Sequence, residues 1–189
     1  MKRWIFALLF GAIAFVGVRE NLHGALIEGV EFKDSHTLGS QRFLLNNVAL
    51  MRYKVVIKAM VSALYLGEGV KPAEVLKDVP KRIEIHYFWN LEGKEIAKAA
   101  DKLLAENISV SRLETIRAEI DEMNALYENV KPGDRYSLTY IPGVGTELAL
   151  NGKKKGLVPG AEFASAYFSI WLGKKPMDVA MRDTLLKPR

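Results

Sequence analysis

The 189-residue chain contains no cysteine and only three histidines. The absence of cysteine excludes disulfide bonds, thiolate catalysis and cysteine-ligated metal sites, so the stability of the fold must come from a packed core. His23, His36 and His86 are too scattered in the sequence to form a metal-binding motif. We therefore predict no metal site and no bound cofactor.

The chain also lacks the dense basic patch that is typical of proteins that bind nucleic acids. Its formal net charge is only +5, and its lysines and arginines are spread along the chain without interleaved aromatic residues. Nucleic acid is therefore not an expected partner. A content of 49% hydrophobic and 26% charged residues is instead typical of an ordinary globular domain.

Recognisable catalytic motifs are missing as well. Ser165 and Ser169 have no histidine and acid at the spacing of a hydrolase triad. Residues 143–146, Gly-Val-Gly-Thr, resemble a phosphate-binding loop, but they lie between two predicted strands rather than before a helix. We therefore predict no catalytic residue from these motifs.

The first 25 residues differ in composition from the rest of the chain. Lys2 and Arg3 precede an apolar run over residues 4–18, which has about the length of the apolar part of a signal peptide and is too short for a comfortable membrane span. We predict that residues 1–25 are a signal peptide or, if uncut, an N-terminal anchor that brings the chain to a membrane-associated partner. Residues 26–189 then form one domain that is periplasmic or secreted.

Hydrophobic periodicity predicts strands and helices that are segregated along the chain. Apolar residues alternate in the stretches that we predict as strands: 26–32, 43–51, 54–66, 81–88, 135–141, 145–150 and 154–158. They recur at intervals of three and four in the predicted helices: 92–107, 111–127, 160–172 and 178–186. Residues 33–41 are predicted as a loop, and Asn151-Gly152 as a hairpin turn. The pattern predicts an α+β fold in which an antiparallel sheet carries helices on one face.

Residues 43–66 form the most informative stretch, because two long predicted strands contain a single arginine between them. Arg52 stands where the second strand begins, and a guanidinium in that position can bind a carboxylate or an enolate oxygen through two parallel hydrogen bonds. At a period of two, Lys58 and Met60 share one face of the second strand, and Ile57 and Ala59 share the other. We predict that this strand forms the wall of a ligand cleft.

The order of several short motifs gives a family resemblance over residues 27–187. The motifs are Asn47 to Arg52, Lys58 to Leu66, Pro80 to Ile85, Gly133-Asp134, Pro142 to Thr146, Asn151-Gly152 and Ile170 to Gly173. In these motifs the chain resembles the chalcone isomerase superfamily, in the exported, non-plant branch called chalcone isomerase-like. The resemblance implies an open-faced β-sandwich, which agrees with the α+β pattern.

The resemblance also implies roles for particular residues. Arg52 matches the arginine that holds the anionic group of the ligand in this family. Met60, Ile96 and Leu103 stand where the plant enzymes have a threonine, a tyrosine and an asparagine. An isomerase of this kind needs hydrogen-bond donors that stabilise the enolate as its charge develops, so three apolar replacements favour binding over catalysis. Members of the superfamily that bind fatty acids share the arginine.

These observations lead to one prediction and two alternatives. We predict that the chain binds a small apolar, fatty-acid-like ligand, with Arg52 at its acidic group and Lys58, Met60, Ile96 and Leu103 along the walls. Simple core packing would explain the three apolar residues equally well. The chain could instead be an isomerase or lyase that acts through Arg52 and a bound water, or an interaction module whose cleft is filled by its own side chains.

Overall fold

The computed structural model describes residues 24–188 except residue 55. Two short strands, β1 (Ala25–Ile27) and β2 (Val30–Phe32), form a separate antiparallel hairpin. The other strands form one antiparallel sheet in which each strand pairs with its neighbours in the sequence. These strands are β3 (Ser35–Leu38), β4 (Gln41–Tyr53), β5 (Ile57–Gly67), β6 (Lys81–Tyr87), β7 (Arg135–Ile141), β8 (Gly145–Leu150) and β9 (Lys153–Val158).

The turn between β8 and β9 confirms the prediction of a hairpin at Asn151-Gly152. Both residues have positive φ angles, 51° and 77°. A two-residue hairpin turn of this type needs positive φ at both central positions, and asparagine followed by glycine adopts them most easily. Leu150 and Lys153 therefore face each other directly across the two strands.

Five α-helices complete the described part of the chain. They are α1 (Gly93–Asn107), α2 (Val110–Thr115), α3 (Arg117–Ala125), α4 (Ala161–Leu172) and α5 (Val179–Leu185). Helix α1 is amphipathic, and it buries Ala100 and Leu104 while its charged side chains face solvent. Helix α4 is different, because nine of its twelve residues are buried. It packs against α1, α3 and α5 as well as against β8, so it has neighbours on nearly every side.

The sheet buries apolar side chains on both of its faces. The larger cluster lies between the sheet and the helices and contains Leu64, Ile83, Leu138 and Phe168. A smaller cluster on the opposite face contains Tyr65 and the side chains of the β1–β2 hairpin. This arrangement confirms the predicted α+β fold, in which an antiparallel sheet carries helices on one face.

Several predicted boundaries were wrong at the start of the chain. The stretch 26–32 is a hairpin rather than one strand, because Glu28 and Gly29 adopt positive φ angles of 52° and 79° and reverse the chain. Residues 33–41 are not a loop throughout, because β3 pairs with the beginning of β4. The predicted leader, residues 1–25, lies almost wholly outside the described residues, which begin at residue 24.

The predicted helix at 111–127 was also wrong in its start and continuity. Its N-cap is Ser109, two residues before the predicted start, since Ser109 Oγ accepts a hydrogen bond from the Arg112 amide at 3.4 Å. The helical stretch is interrupted at Ile116, which ends α2 and precedes α3. Ile116 itself is buried and packs in the main core, so the break does not expose its side chain.

Strands β3, β6 and β7 are joined by a buried carboxylate, that of Glu84. Arg82 Nη2 donates to Glu84 Oε1 at 2.7 Å, and Arg135 Nη1 donates to Oε2 at 3.2 Å. His36 Nε2 lies 3.0 Å from Oε1. Burial alone would raise the pKa of Glu84, but the contact with His36 and the charge of Arg82 outweigh burial and hold the pKa at about 2.

The Glu84 cluster predicts how the stability of the fold depends on pH. The pKa of Glu84 is lower than its ordinary value of 4.5, so its stabilising effect is present above pH 4.5 and is lost as the pH falls towards 2. Between pH 7 and pH 3, we expect the wild-type free energy of unfolding to fall by about 2 kcal/mol more than that of Glu84→Gln. Urea unfolding at both pH values measures the difference.

The matched control for this experiment is Glu162→Gln. Glu162 is exposed and pairs with Arg112 at 3.0 Å, so its loss removes an exposed ion pair of the kind that contributes little to stability. We expect this variant to keep the wild-type dependence on pH. Parallel pH profiles for the wild type and Glu84→Gln would contradict the prediction.

Candidate functional site

An open apolar crevice lies at the end of the β4–β5 hairpin. Its volume is about 410 Å³, which is within the usual range for small-molecule sites. Its walls carry no charged side chain among the described residues, and the only polar side-chain groups are a phenol hydroxyl and an indole N–H. The lining residues are Met51, Tyr53, Ile57, Ala59, Met60, Trp89 and Leu91.

A β-bulge at Ala59 shapes this crevice. Met51 faces Met60 across the two strands, whereas Arg52 faces Lys58, so β5 contains one extra residue between these two pairs. The extra residue places Ile57 and Met60 on the same face, although their spacing in a regular strand would put them on opposite faces. The prediction that Lys58 and Met60 share a face was therefore wrong.

Trp89 forms the wall of the crevice that follows β6. The ladder between β5 and β6 ends at the pair Met60 and Tyr87, and the chain then turns so that Trp89 lies beside β5. The indole Nε1–H donates to the main-chain carbonyl of Lys58 at 2.7 Å, which fixes the ring against the hairpin. Trp89 and Tyr53 remain 55% and 57% exposed, so the mouth of the crevice is open to solvent.

Arg52 and Lys58 lie on the other face of the hairpin, where both contact Glu28. Arg52 Nη2 donates to Glu28 Oε1 at 2.9 Å, and Lys58 Nζ lies 2.6 Å from Glu28 Oε2. Both side chains are still about half exposed. The hydrogen bond from Lys58 and the charges of the two cations lower the pKa of Glu28. The turn of the β1–β2 hairpin therefore supplies a carboxylate that pairs with both cations.

Lys54 is a third cation of the hairpin and lies beside a wall of the crevice. It occupies the hairpin tip with a positive φ of 48°, an uncommon conformation for a residue with a side chain. Its Nζ lies 5.4 Å from the centroid of the Tyr53 ring, which lines the crevice. Among the residues that the structure describes, Lys54 has no carboxylate partner. No pattern in the sequence distinguishes this lysine from the other basic residues.

The other predicted wall residues are divided between the crevice and the core. Met60 lines the crevice and also a small inner cavity of about 20 Å³, which Ile96 lines from helix α1. Leu103 packs against the core without lining either space. The inner cavity is nearly filled, because Tyr127, Trp171 and other large side chains occupy the space between sheet and helices. Met60 is thus the predicted residue that borders both spaces.

A second, more polar groove adjoins the crevice at Leu91. It has a volume of about 650 Å³ and is lined by Asn90, Glu92, Asn129, Lys131 and Asp134, among others. Within the described residues, no group of three or more histidine, aspartate or glutamate side chains could hold a metal ion. We regard the apolar crevice as the candidate site, because small-molecule sites are mostly apolar with a few polar groups.

Sequence reasoning missed most of the crevice lining. Met51 and Tyr53 alternate with Arg52 on β4, so they lie on the face of the strand opposite to the arginine that the family pattern marks. Trp89 is 55% exposed and follows β6, and nothing in the sequence marks it as a wall of the crevice. A clearer signal would have been Tyr53 and Val56 at the junction of the two strands, because exposed apolar residues are unusual in a turn.

Comparisons with known proteins bear on this geometry. A family model described as chalcone isomerase-like matches residues 24–187. Thirty-seven chains among solved structures match, and one of them is the crystal structure of a fatty-acid binding protein from Arabidopsis thaliana. That match has a TM-score of 0.65 at 15% sequence identity, over 86% of this chain and 95% of the other. At this identity the similarity shows a shared fold alone. A comparison with curated protein sequences gave no match.

Proposed function

The chain belongs to the chalcone isomerase-like family, whose model covers residues 24–187, and we propose that it binds a small apolar ligand with an acidic end group, such as a fatty acid. The observation that carries the proposal is the apolar crevice of about 410 Å³ at the end of the β4–β5 hairpin. A similar fold occurs in a plant fatty-acid binding protein, which supports the class of ligand.

The apolar part of the ligand would lie along the crevice between Met51, Ile57 and Trp89. Each methylene group that leaves water for such a surface contributes about 0.8 kcal/mol. Met60 borders the inner cavity, and its flexible thioether side chain could move to lengthen the available space. Ile96 would then become the next wall residue, whereas Leu103 would act through core packing.

The acidic group would remain at the rim of the crevice, where three cations surround the hairpin tip. Lys54 lies beside Tyr53, and Arg52 and Lys58 lie on the opposite face of a hairpin that is only two strands wide at this point. Glu28 already pairs with Arg52 and Lys58, so a ligand carboxylate would compete with it for these cations. If the carboxylate stays at the rim, no charged group has to enter the apolar crevice, and the free-energy cost of burying an ion is avoided.

The lining supports binding over an isomerase or lyase. Enolate stabilisation requires donors that point at the developing charge. The crevice offers a phenol hydroxyl at Tyr53, and the indole N–H of Trp89 is already used by the Lys58 carbonyl. Turnover of a chalcone-type or enone substrate that is lost in Arg52→Ala would favour the enzyme instead.

We expect Ala59→Trp to abolish ligand binding, because an indole at the bulge would fill the crevice. The measurement is titration of the protein with a fluorescent fatty acid, supported by native mass spectrometry of the purified protein. Ala105→Trp is the matched control, since residue 105 lies on the exposed side of α1 and away from the crevice. Ile57→Trp provides a second blocking variant in case the bulge does not tolerate the indole. Unchanged binding in both blocking variants, with the fold intact, would contradict the crevice as the site.

A second prediction concerns the acidic end of the ligand. We expect Arg52→Ala and Lys54→Ala each to weaken binding of the fatty acid by about threefold to tenfold, because each removes one partly exposed ionic contact. Binding of the methyl ester of the same fatty acid should not change, since the ester has no charge. Titration of the acid and the ester side by side measures this difference. If the two substitutions weakened binding of the acid and of the ester equally, the cations would have no role at the acidic group, although the apolar crevice could still be the binding site.

We also propose that the chain is exported and that the domain begins close to residue 26. The support is the sequence of residues 1–25, in which two basic residues precede an apolar run. Among the described helices, none is long and apolar enough to cross a membrane.

We expect the protein recovered from a periplasmic or secreted fraction to have the mass of a chain cut near residue 25. An intact mass in that fraction would instead support an uncut anchor.

A further inference from the structure

The tip of the β4–β5 hairpin and the adjacent tryptophan form an exposed apolar surface. We call this surface, made of Tyr53, Lys54, Val56 and Trp89, the hairpin-tip surface. Its apolar members are 57%, 75% and 55% exposed, which is unusual for three neighbouring large apolar side chains in a soluble domain. None of them is needed to cover the core, because both buried clusters of the sheet are formed by other residues.

The composition of this surface matches the interfacial region of a lipid bilayer. Tryptophan and tyrosine favour that region because each combines a large apolar ring with one polar group. The Trp89 N–H is bonded to the Lys58 carbonyl, so the ring is held at the tip in a fixed position. Val56 is the most exposed apolar residue of the four and stands at the turn itself.

The charges around the surface favour an anionic bilayer. Arg52, Lys54 and Lys58 supply three positive charges, and Glu28 offsets one of them. Glu92, the next carboxylate along the chain after Trp89, pairs with Lys94 at 2.6 Å. The tip therefore carries an excess of positive charge, and each lysine or arginine near an anionic membrane surface strengthens binding by about fivefold.

We propose that the hairpin-tip surface docks the domain onto an anionic lipid bilayer. The apolar side chains would enter the interfacial layer while the cations pair with lipid phosphates. This contact places the mouth of the apolar crevice against the membrane, where an apolar ligand could pass between bilayer and protein without crossing water. The inference goes beyond the proposed function and does not require it, because the docking surface is defined by exposed residues and not by the crevice.

The absence of cysteine allows a direct test with the full-length protein. Val56→Cys receives a nitroxide label, and Val144→Cys is the matched control, since Val144 is 54% exposed at a turn on the opposite end of the sheet. Both proteins are mixed with vesicles of phosphatidylcholine and phosphatidylglycerol. Collisions of the label with oxygen and with a water-soluble nickel complex show whether it lies in lipid or in water.

We expect the label at residue 56 to become protected from the nickel complex and the label at residue 144 to remain in water. Because both labelled chains carry the same N-terminal segment, any membrane contact through that segment is common to both. Adding Lys54→Glu to the Val56→Cys protein should reduce insertion by about thirtyfold, since the substitution lowers the charge of the tip by two units. Insertion of the label at residue 56 should also be weaker with vesicles of pure phosphatidylcholine, because these vesicles carry no net charge.

Two results would overturn the proposal: a label at residue 56 that stays in water, or equal insertion of both labels. Fatty-acid titration in vesicle-free buffer is carried out on the same labelled proteins. Insertion without fatty-acid binding would retain the docking surface and remove the proposed ligand. Fatty-acid binding without insertion would retain the ligand and remove the docking surface. The two proposals can therefore fail separately.

Discussion

The pleat of the β4–β5 hairpin is the constraint on which the candidate site depends. Successive side chains of a strand point to opposite faces, so Arg52 must face away from the crevice when Met51 and Tyr53 line it. On β5 the bulge at Ala59 lets Ile57 and Met60 share the apolar face while Lys58 turns towards Glu28. One extra residue thus separates an apolar wall from a cationic one, and the two meet only at the open end of the hairpin.

The position of the crevice also follows from how completely the interior is filled. Helix α4 is buried along most of its length, and the inner cavity that Tyr127 and Trp171 line has a volume of about 20 Å³. Without disulfides, the chain depends on this dense packing for stability, since each large apolar side chain contributes about 1.5–3 kcal/mol when fully buried. Space for a ligand therefore lies where the sheet ends and the helices no longer cover it.

The sequence predicted the sheet and the main helices well, because their apolar periodicity reflects the same packing that buries Leu64, Ile83 and Leu104. It did not predict the turn at Glu28, since a non-glycine residue with positive φ has no strong sequence signal. The bulge at Ala59 was invisible for a similar reason, because it depends on the register with β4 rather than on local composition. As a result, the family pattern drew attention to Arg52 and Met60, but it could not show that they face opposite sides of the hairpin.

The order of the strands has a consequence for how the chain folds. Each strand from β3 to β9 pairs only with its neighbours in the sequence, so the sheet can grow in one direction as successive segments become available. Helix α4 follows β9, yet it supplies much of the apolar cover over the sheet. The sheet face beneath α4 stays uncovered until nearly the whole chain is present. The interval before α4 docks is therefore the period when aggregation competes most strongly with folding, and when a chaperone would have most effect.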